Sequence, residues 1–427
     1  MATALQRGLA PVRQVLDNGA VVIAKHSPAT PAVTVHASFA AGSIYDPFGQ
    51  SGLAHFVSKT IDRGTTSRTG DEIAEELENR GVALAVSVNR HALQLVLTCL
   101  VEDLATVLAI LADVVIQPTL PEADVQTKRG EIITLIRQDE DNPAAVSGEA
   151  MLSTLYGETH PYGWRPRGSV ASVDTITRSG LQAFHARRFA PSTLSLVMVG
   201  DVDPAYAIGA AQGAFGDWDA TPGPGVDLPE PAPPSARVLK VVPMMNKAQA
   251  DISYGFAAIR RSDPAFYAFW LMNNILGQYS LGGRLGDSIR ERQGMAYYVF
   301  SAIDPANVIR GPLTIRAGVS AENVERAVAS IDTELSTLAA DGPTERELIE
   351  SKQYLVGSMP RNLETNLGIA NFLQSVEFFG LGLDYDVRVP DLLGAVTLEE
   401  VHEAARRALD PSRAVVVVAG PYAGQPR

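Results

Sequence analysis

Cysteine and long apolar runs are nearly absent, and each absence excludes a class of protein. Cys99 is the single cysteine among 427 residues, so an internal disulfide framework is excluded. No stretch approaches the roughly 20 consecutive apolar residues that a membrane-spanning helix requires. The segment Met1–Arg13 lacks a long apolar signal core, so we expect a cytoplasmic chain with no membrane span.

Positive charge is scarce as well. Lys and Arg number 35 against 48 Asp and Glu, which gives a net charge of −13. An acidic surface repels phosphate groups, which argues against duplex nucleic acid or an anionic membrane as the main partner. Hydrophobic residues make up 46% of the chain and charged residues 19%, so the chain should fold, and its length allows two or more domains.

Proline and glycine are concentrated in one segment near the middle of the chain. Residues 221–234 read T-P-G-P-G-V-D-L-P-E-P-A-P-P. Repeated proline forbids helices and sheet ladders and favours an extended connector. We therefore predict an N-terminal lobe at 1–220, a linker at 221–236 and a C-terminal lobe at 237–427.

The two halves share short sequence elements at nearly one offset, which indicates an internal duplication. Each half carries F-A-A followed by D-P, and later P-S followed by an apolar strand. The positions are Phe39–Ala41 and Phe256–Ala258, Asp46–Pro47 and Asp263–Pro264, and Pro191–Ser192 and Pro411–Ser412.

Each half also follows the same predicted order of strand, helix, strands, helices and strand. Predicted strands cover 33–39, 251–256 and a hairpin or strand pair over 85–100; predicted helices cover 52–62, 102–116, 266–276 and 321–339. This order indicates the α+β class, with helices packed on mixed, mostly antiparallel sheets in two homologous lobes.

The segment 52–65 reads G-L-A-H-F-V-S-K-T-I-D-R-G-T. It resembles the metal helix of the pitrilysin and mitochondrial processing peptidase family, which reads roughly G-L-A-H-F-L-E-H-x-x-F-x-G-T and contains an inverted zinc motif, H-x-x-E-H. Helix positions four apart share a face, so two imidazoles can bind one zinc ion. The Glu before the second His can take a proton from the zinc-bound water.

Three of the four residues of that metal site are replaced here. His55 keeps the first ligand position, but Ser58 replaces the general base and Lys59 replaces the second ligand. An ammonium group has no lone pair to donate and would repel the metal. The family's third ligand is a Glu on a later helix, and the alignment puts Leu135 at its position. The resemblance therefore implies a chain that cannot bind catalytic zinc, with His55 left as a helix histidine in a local hydrogen bond.

Other side chains could replace the lost ligands only poorly. Glu131 lies one helical turn before the third ligand position, and His26, His36 and His91 lack the spacing of metal ligands. We therefore expect no cofactor in this chain.

The second half contains a complementary element. The segment Leu281–Val299 resembles the family's C-terminal signature, roughly S-R-L-x-x-x-L-R-x-x-x-G-x-A-Y, and its Arg and Tyr correspond to Arg290 and Tyr297. In the family these two side chains reach the zinc site. A phenol can donate a hydrogen bond to an oxyanion, and a guanidinium can hold peptide carbonyls. Tyr298 competes with Tyr297 for this role, because adjacent strand residues face opposite ways.

The resemblance covers nearly the whole chain and implies a division of labour. Some family members are heterodimers in which one subunit carries H-x-x-E-H and the other supplies the Arg/Tyr element. We therefore expect a zinc-binding homologous partner, unfolded peptides as substrates, and a chain that is inactive alone. The alternatives are an inert structural subunit, like the core proteins of a respiratory complex, and a self-contained peptidase with an unusual metal site.

Overall fold

The computed structural model describes residues 8–232, 234–278 and 282–424. Met1 to Arg7, Pro233 of the predicted linker and Leu281 of the Arg/Tyr segment lie outside the described residues. The strands are β1 Val12–Val15, β2 Val21–His26, β3 Ala32–Phe39, β4 Ala85–Val88, β5 Leu93–Leu100, β6 Leu194–Gly200, β7 Val238–Pro243, β8 Ala250–Ile259, β9 Ala296–Ile303, β10 Gly311–Val319 and β11 Val415–Gly420.

The helices alternate with these strands along both halves. They are α1 Leu53–Thr60, α2 Gly70–Glu78, α3 Leu104–Ile116, α4 Glu122–Glu140, α5 Pro143–Tyr156, α6 Val170–Thr175, α7 Arg178–Arg188, α8 Pro204–Phe215, α9 Phe266–Asn273, α10 Val324–Asp341, α11 Glu345–Asn362, α12 Asn366–Phe379, α13 Tyr385–Ala395 and α14 Leu398–Ala408. Two π-helical segments, Asn274–Gln278 and Gly286–Arg292, lie between α9 and β9. The predicted α+β class is confirmed.

The strand orders of the two sheets show the duplication that the repeated sequence elements predicted. The first sheet has the order β1-β2-β6-β3-β5-β4, and the second has β7-β11-β8-β10-β9. In the first sheet, β6 pairs parallel to β2 and antiparallel to β3. In the second sheet, β11 pairs in the same way, parallel to β7 and antiparallel to β8. The repeated D-P also has one local role, since Asp46 accepts hydrogen bonds at the start of α1 and Asp263 accepts one from Ala265 N–H at 2.9 Å before α9.

The first compact unit contains the first sheet and a helix from the distant C-terminal half. Its described residues run up to Ile136 and continue with Arg165–Val226 and Met359–Val387. One face of the sheet packs on α3, α8 and their neighbours, and the other face packs on α12. Ile369 and Leu373 of α12 are buried against Val197 and Val199 of β6. Apolar contact of this kind stabilises by about 1.5–3 kcal/mol per fully buried side chain.

The second compact unit repeats this arrangement with a helix from the N-terminal half. It comprises Arg137–Trp164, the described residues of 227–358, and the described residues from Arg388 on. Helix α5 packs on β8 and β11, and the hydroxyls of Ser147 and Ser253 lie 2.9 Å apart between α5 and β8. Neither unit is therefore one continuous stretch of chain. None of the helices in the described ranges has the length and apolar character needed to cross a bilayer.

Candidate functional site

The segment that resembles the metal helix begins at a tightly packed helix start. Gly52 has φ +95°, and a Cβ there would lie 2.6 Å from the carbonyl oxygen of Arg167, so only glycine fits. The buried carboxylate of Asp46 accepts hydrogen bonds from the backbone N–H groups of Gly52 and Ala54, each at 2.8 Å. These contacts fix the direction in which α1 leaves the preceding loop.

His55 lies on α1 as a neutral, partly buried histidine. Its Nε2 is buried and has no hydrogen-bond partner within the described residues. Burial, together with the nearby charges of Lys59 and Arg167, lowers the pKa of His55 to about 4. The expected local hydrogen bond of the His55 ring is therefore not among the contacts of the described residues.

Ser58 and Lys59 do not reproduce a base and a ligand. Ser58 is buried, and its hydroxyl donates to the carbonyl oxygen of His55 at 2.6 Å, a bond within the helix. Lys59 is half-buried and lies one turn after His55 on the same face. A cation thus occupies the place where the family has its second imidazole.

Leu135 does not replace the lost carboxylate either. On α4, Ile132 and Ile136 are buried in the core, whereas Leu135 is 38% exposed. Glu131 forms an ion pair with Lys128 at 2.7 Å within the same helix.

The donor set of the first unit does not fit a catalytic zinc ion. No group of three His, Cys, Asp or Glu side chains in residues 8–232, 234–278 and 282–424 could hold a metal ion. A catalytic zinc site needs three such ligands around one open position. His55 therefore lacks the neighbouring ligands that a catalytic zinc ion requires.

The predicted Arg/Tyr element lies in the second unit, on the π-helical segment Gly286–Arg292 and on β9. A turn with Gly294 at φ +61° joins the two, and Gly294 N–H donates to the carbonyl oxygen of Arg290 at 3.1 Å. The Arg290 side chain is 42% exposed, and its Nε lies 3.6 Å from a carboxylate oxygen of Glu291. The guanidinium is therefore held only loosely by its neighbour.

Tyr297 lies at an irregularity of β9. Tyr298 pairs with Gly318 of β10, but Ala296 pairs with Val319, so Tyr297 has no residue opposite it. This one-residue bulge breaks the alternation of side chains along the strand. Tyr297 is 82% exposed, whereas the hydroxyl of Tyr298 donates to the buried carboxylate of Asp251. Of the two tyrosines, Tyr297 is the one available to another molecule.

Arg284 anchors the segment that carries Arg290. Its guanidinium donates two hydrogen bonds to the Glu347 carboxylate, at 2.6 and 2.8 Å, and a third to the carbonyl oxygen of Gly342. Glu347 also accepts from the backbone N–H of Thr344 at the start of α11. This fork-to-fork ion pair is a strong, oriented contact. Sequence reasoning missed this role of Arg284, although the S-R-L part of the signature marks its position.

The two halves of the chain match two models of one peptidase family. Residues 21–162 match the insulinase model of peptidase family M16, and residues 175–355 match the model described as the peptidase M16 inactive domain. Together the matches cover more than half of the chain.

Known proteins of similar length agree with this assignment. An uncharacterized zinc protease of Mycobacterium leprae is 28% identical over 97% of this chain and 92% of its own. The uncharacterized zinc protease YmxG of Bacillus subtilis is 24% identical over 95% and 97%.

Solved structures share the fold over nearly their whole length. The peptidase M16 inactive domain from Pseudomonas fluorescens is 26% identical, with a TM-score of 0.90 over 98% of this chain and 99% of the other. A protease from Helicobacter pylori shares the fold with a TM-score of 0.88 at 18% identity, over 96% and 99% of the two chains. This chain belongs to peptidase family M16 and resembles its zinc proteases.

Proposed function

We propose that this chain is the non-zinc subunit of a two-subunit M16 peptidase and that it supplies Arg290 and Tyr297 to the zinc site of its partner. The observation that carries the proposal is Tyr297: a large phenol, 82% exposed, at a bulge of β9. Bulges change the direction of a side chain and occur often beside active sites, so an exposed aromatic residue at a bulge is typical of a functional position.

The replaced ligand positions support the same division of labour. Lys59 and Leu135, at the positions that the resemblance gives to two ligands, have no lone pair to offer a metal ion, whereas the C-terminal element is kept. A zinc-binding partner would activate the attacking water. The Tyr297 hydroxyl would then donate a hydrogen bond to the oxyanion that forms at the attacked carbonyl, and Arg290 would hold carbonyl oxygens of an extended peptide.

Reconstitution tests this proposal. We expect peptide cleavage only when the purified chain is mixed with a homologous chain that carries an intact H-x-x-E-H, with one zinc ion bound per heterodimer. Cleavage by this chain alone, with stoichiometric zinc, would instead support a self-contained peptidase. Stable assembly with membrane cytochromes and no cleavage would support an inert structural subunit.

Arg290 has a matched control in the same helical segment. Arg292 is 64% exposed in its side chain and pairs with Asp287 at 2.9 Å. We expect Arg290→Ala to lower kcat/KM of the complex by about 10- to 100-fold, as loss of one transition-state contact does, and Arg292→Ala to change it less than about twofold. Equal effects of the two substitutions would count against a specific role of Arg290.

A further inference from the structure

A row of three residues crosses the second sheet beside the bulge. Tyr298 of β9, Gly318 of β10 and Asp251 of β8 are direct neighbours in the two strand registers. The Tyr298 hydroxyl donates to the Asp251 carboxylate, so its ring spans the middle strand. The outer strand is thereby attached to β8, two strands away.

Gly318 makes room for this contact. Its φ lies outside the left-handed region, so backbone conformation does not require glycine. A Cβ at this position would lie 2.6 Å from Cε1 of Tyr298 and 2.1 Å from Nε2 of Gln249. An aromatic ring that covers a glycine of the neighbouring strand is a known way of pinning sheet register.

The Asp251 end of the bridge is buried, and the Tyr298 ring is packed against a second aromatic ring. Asp251 is 5% exposed, and the ring of Phe300 lies 5.9 Å from that of Tyr298. Burial raises the pKa of both the Asp251 carboxyl and the Tyr298 phenol, and the charge of Arg316 acts against both shifts. A hydrogen bond between a hydroxyl and a carboxylate in such surroundings is stronger than one between neutral groups.

We infer that Tyr298 is a positioning residue: its bridge over Gly318 to Asp251 fixes the bulge that presents Tyr297. This inference rests on the proposed function of Tyr297 as a group that contacts substrate. The register shift lies immediately before Tyr298, so the bridge holds the residue that ends the bulge. Without the bridge, β9 is free to return to regular pairing, which would move Tyr297.

Amide hydrogen exchange of the isolated chain tests the bridge without reference to activity. We expect Tyr298→Phe and Gly318→Ala each to speed exchange of the β9 amides around the bulge by about tenfold or more, because the hydroxyl contact is lost in one and the ring is displaced in the other. The control is Tyr422→Phe, which also removes a tyrosine–carboxylate bond, to Glu325 at 3.2 Å. Unchanged exchange in both bridge variants would overturn the inference.

A kinetic cycle in the reconstituted complex tests the link to Tyr297. We expect Tyr298→Phe to lower kcat/KM about tenfold when Tyr297 is present and less than about twofold in the Tyr297→Phe background. Equal losses in both backgrounds would indicate a merely structural role and overturn the inference. If Tyr297→Phe alone has no effect, the proposed function fails, and faster exchange at the bulge then supports only the bridge.

Discussion

At the scale of residues, the replacements on α1 and α4 decide whether this chain can bind metal. Two imidazoles and one carboxylate are the minimum that the family's site requires, and this chain offers one imidazole beside an ammonium. Restoring the family's residues at positions 58, 59 and 135 is therefore the direct test of whether these replacements prevent zinc binding.

We expect the purified chain to retain no stoichiometric zinc after dialysis. The triple variant Ser58→Glu, Lys59→His, Leu135→Glu should bind about one zinc ion, because it regains the base and two ligands, which with His55 make three. The double variant that keeps Leu135 should bind more weakly by about tenfold or more. Equilibrium dialysis with metal analysis measures this, and stoichiometric zinc in the unmodified chain would contradict the account.

Three buried or partly buried histidines of the first unit predict a loss of stability in acid. Burial lowers the pKa of His36, His55 and His91 to about 4 in the folded chain, against 6.5 for the unfolded one. The unfolded state therefore binds more protons between these values, so the stabilisation is present above pH 6.5 and is lost as pH falls towards 4.

We expect the free energy of unfolding to fall by about 1–2 kcal/mol per histidine between pH 6.5 and 4.5. His36→Gln should flatten this dependence, because the buried imidazole is removed. Denaturant titrations at several pH values measure the slope. A stability that rises towards pH 4.5 would be inconsistent with these buried neutral histidines.

At the scale of elements, short-range patterns predicted much of what the structure contains. The alternation over 85–100 predicted a hairpin or strand pair, and β4 and β5 pair antiparallel there. The bulge at Tyr297 could not be predicted, because alternation along a strand carries no information about which residue lacks a partner. The π-helical turns around Arg290 could not be predicted from short-range sequence patterns either, because they depend on packing against other elements.

A buried amide of helix α12 contacts two strands of the first sheet, β3 and β6. The Gln374 Nε2 group donates to the carbonyl oxygens of His36 and Ser195, at 2.7 and 2.8 Å, and the side chain is 5% exposed. These carbonyls would lose their side-chain donor if Gln374 were replaced.

We expect Gln374→Leu to destabilise the chain by about 2–3 kcal/mol, because two buried hydrogen bonds are lost while volume is kept. Gln126→Leu, at an exposed glutamine bonded to Glu122 on α4, should change stability by less than about 0.5 kcal/mol. Urea unfolding followed by circular dichroism compares the two. Equal stabilities would mean that α12 does not depend on this contact.

At the scale of the whole molecule, each sheet is covered by a helix from the other half of the sequence. The proline-rich segment and the repeated elements indicated two similar halves, and the strand orders agree with this. The sequence did not predict that α5 covers the second sheet and α12 the first. The apolar face of an amphipathic helix shows that the helix packs on something, but not on which sheet.

Residues 1–226 expressed alone should therefore fail to give a stable monomer. They lack α12, so Ile23, Val197 and Val199 of the first sheet would be exposed to water. We expect this fragment to aggregate, and co-expression with residues 227–427 to yield a soluble, co-purifying pair. Size-exclusion chromatography distinguishes these outcomes, and a monomeric, cooperatively unfolding fragment 1–226 would refute the dependence on α12.

The most direct test of the central claim is peptide cleavage by the complex after removal of one oxygen atom. Tyr297→Phe should lower kcat by about 100-fold, as loss of an oxyanion hydrogen bond does, and leave assembly and zinc content unchanged. Tyr206→Phe, at another exposed tyrosine on α8, is the control and should retain full activity. Cleavage by the Tyr297→Phe complex at the rate of the Tyr206→Phe complex would contradict the proposed role of this chain.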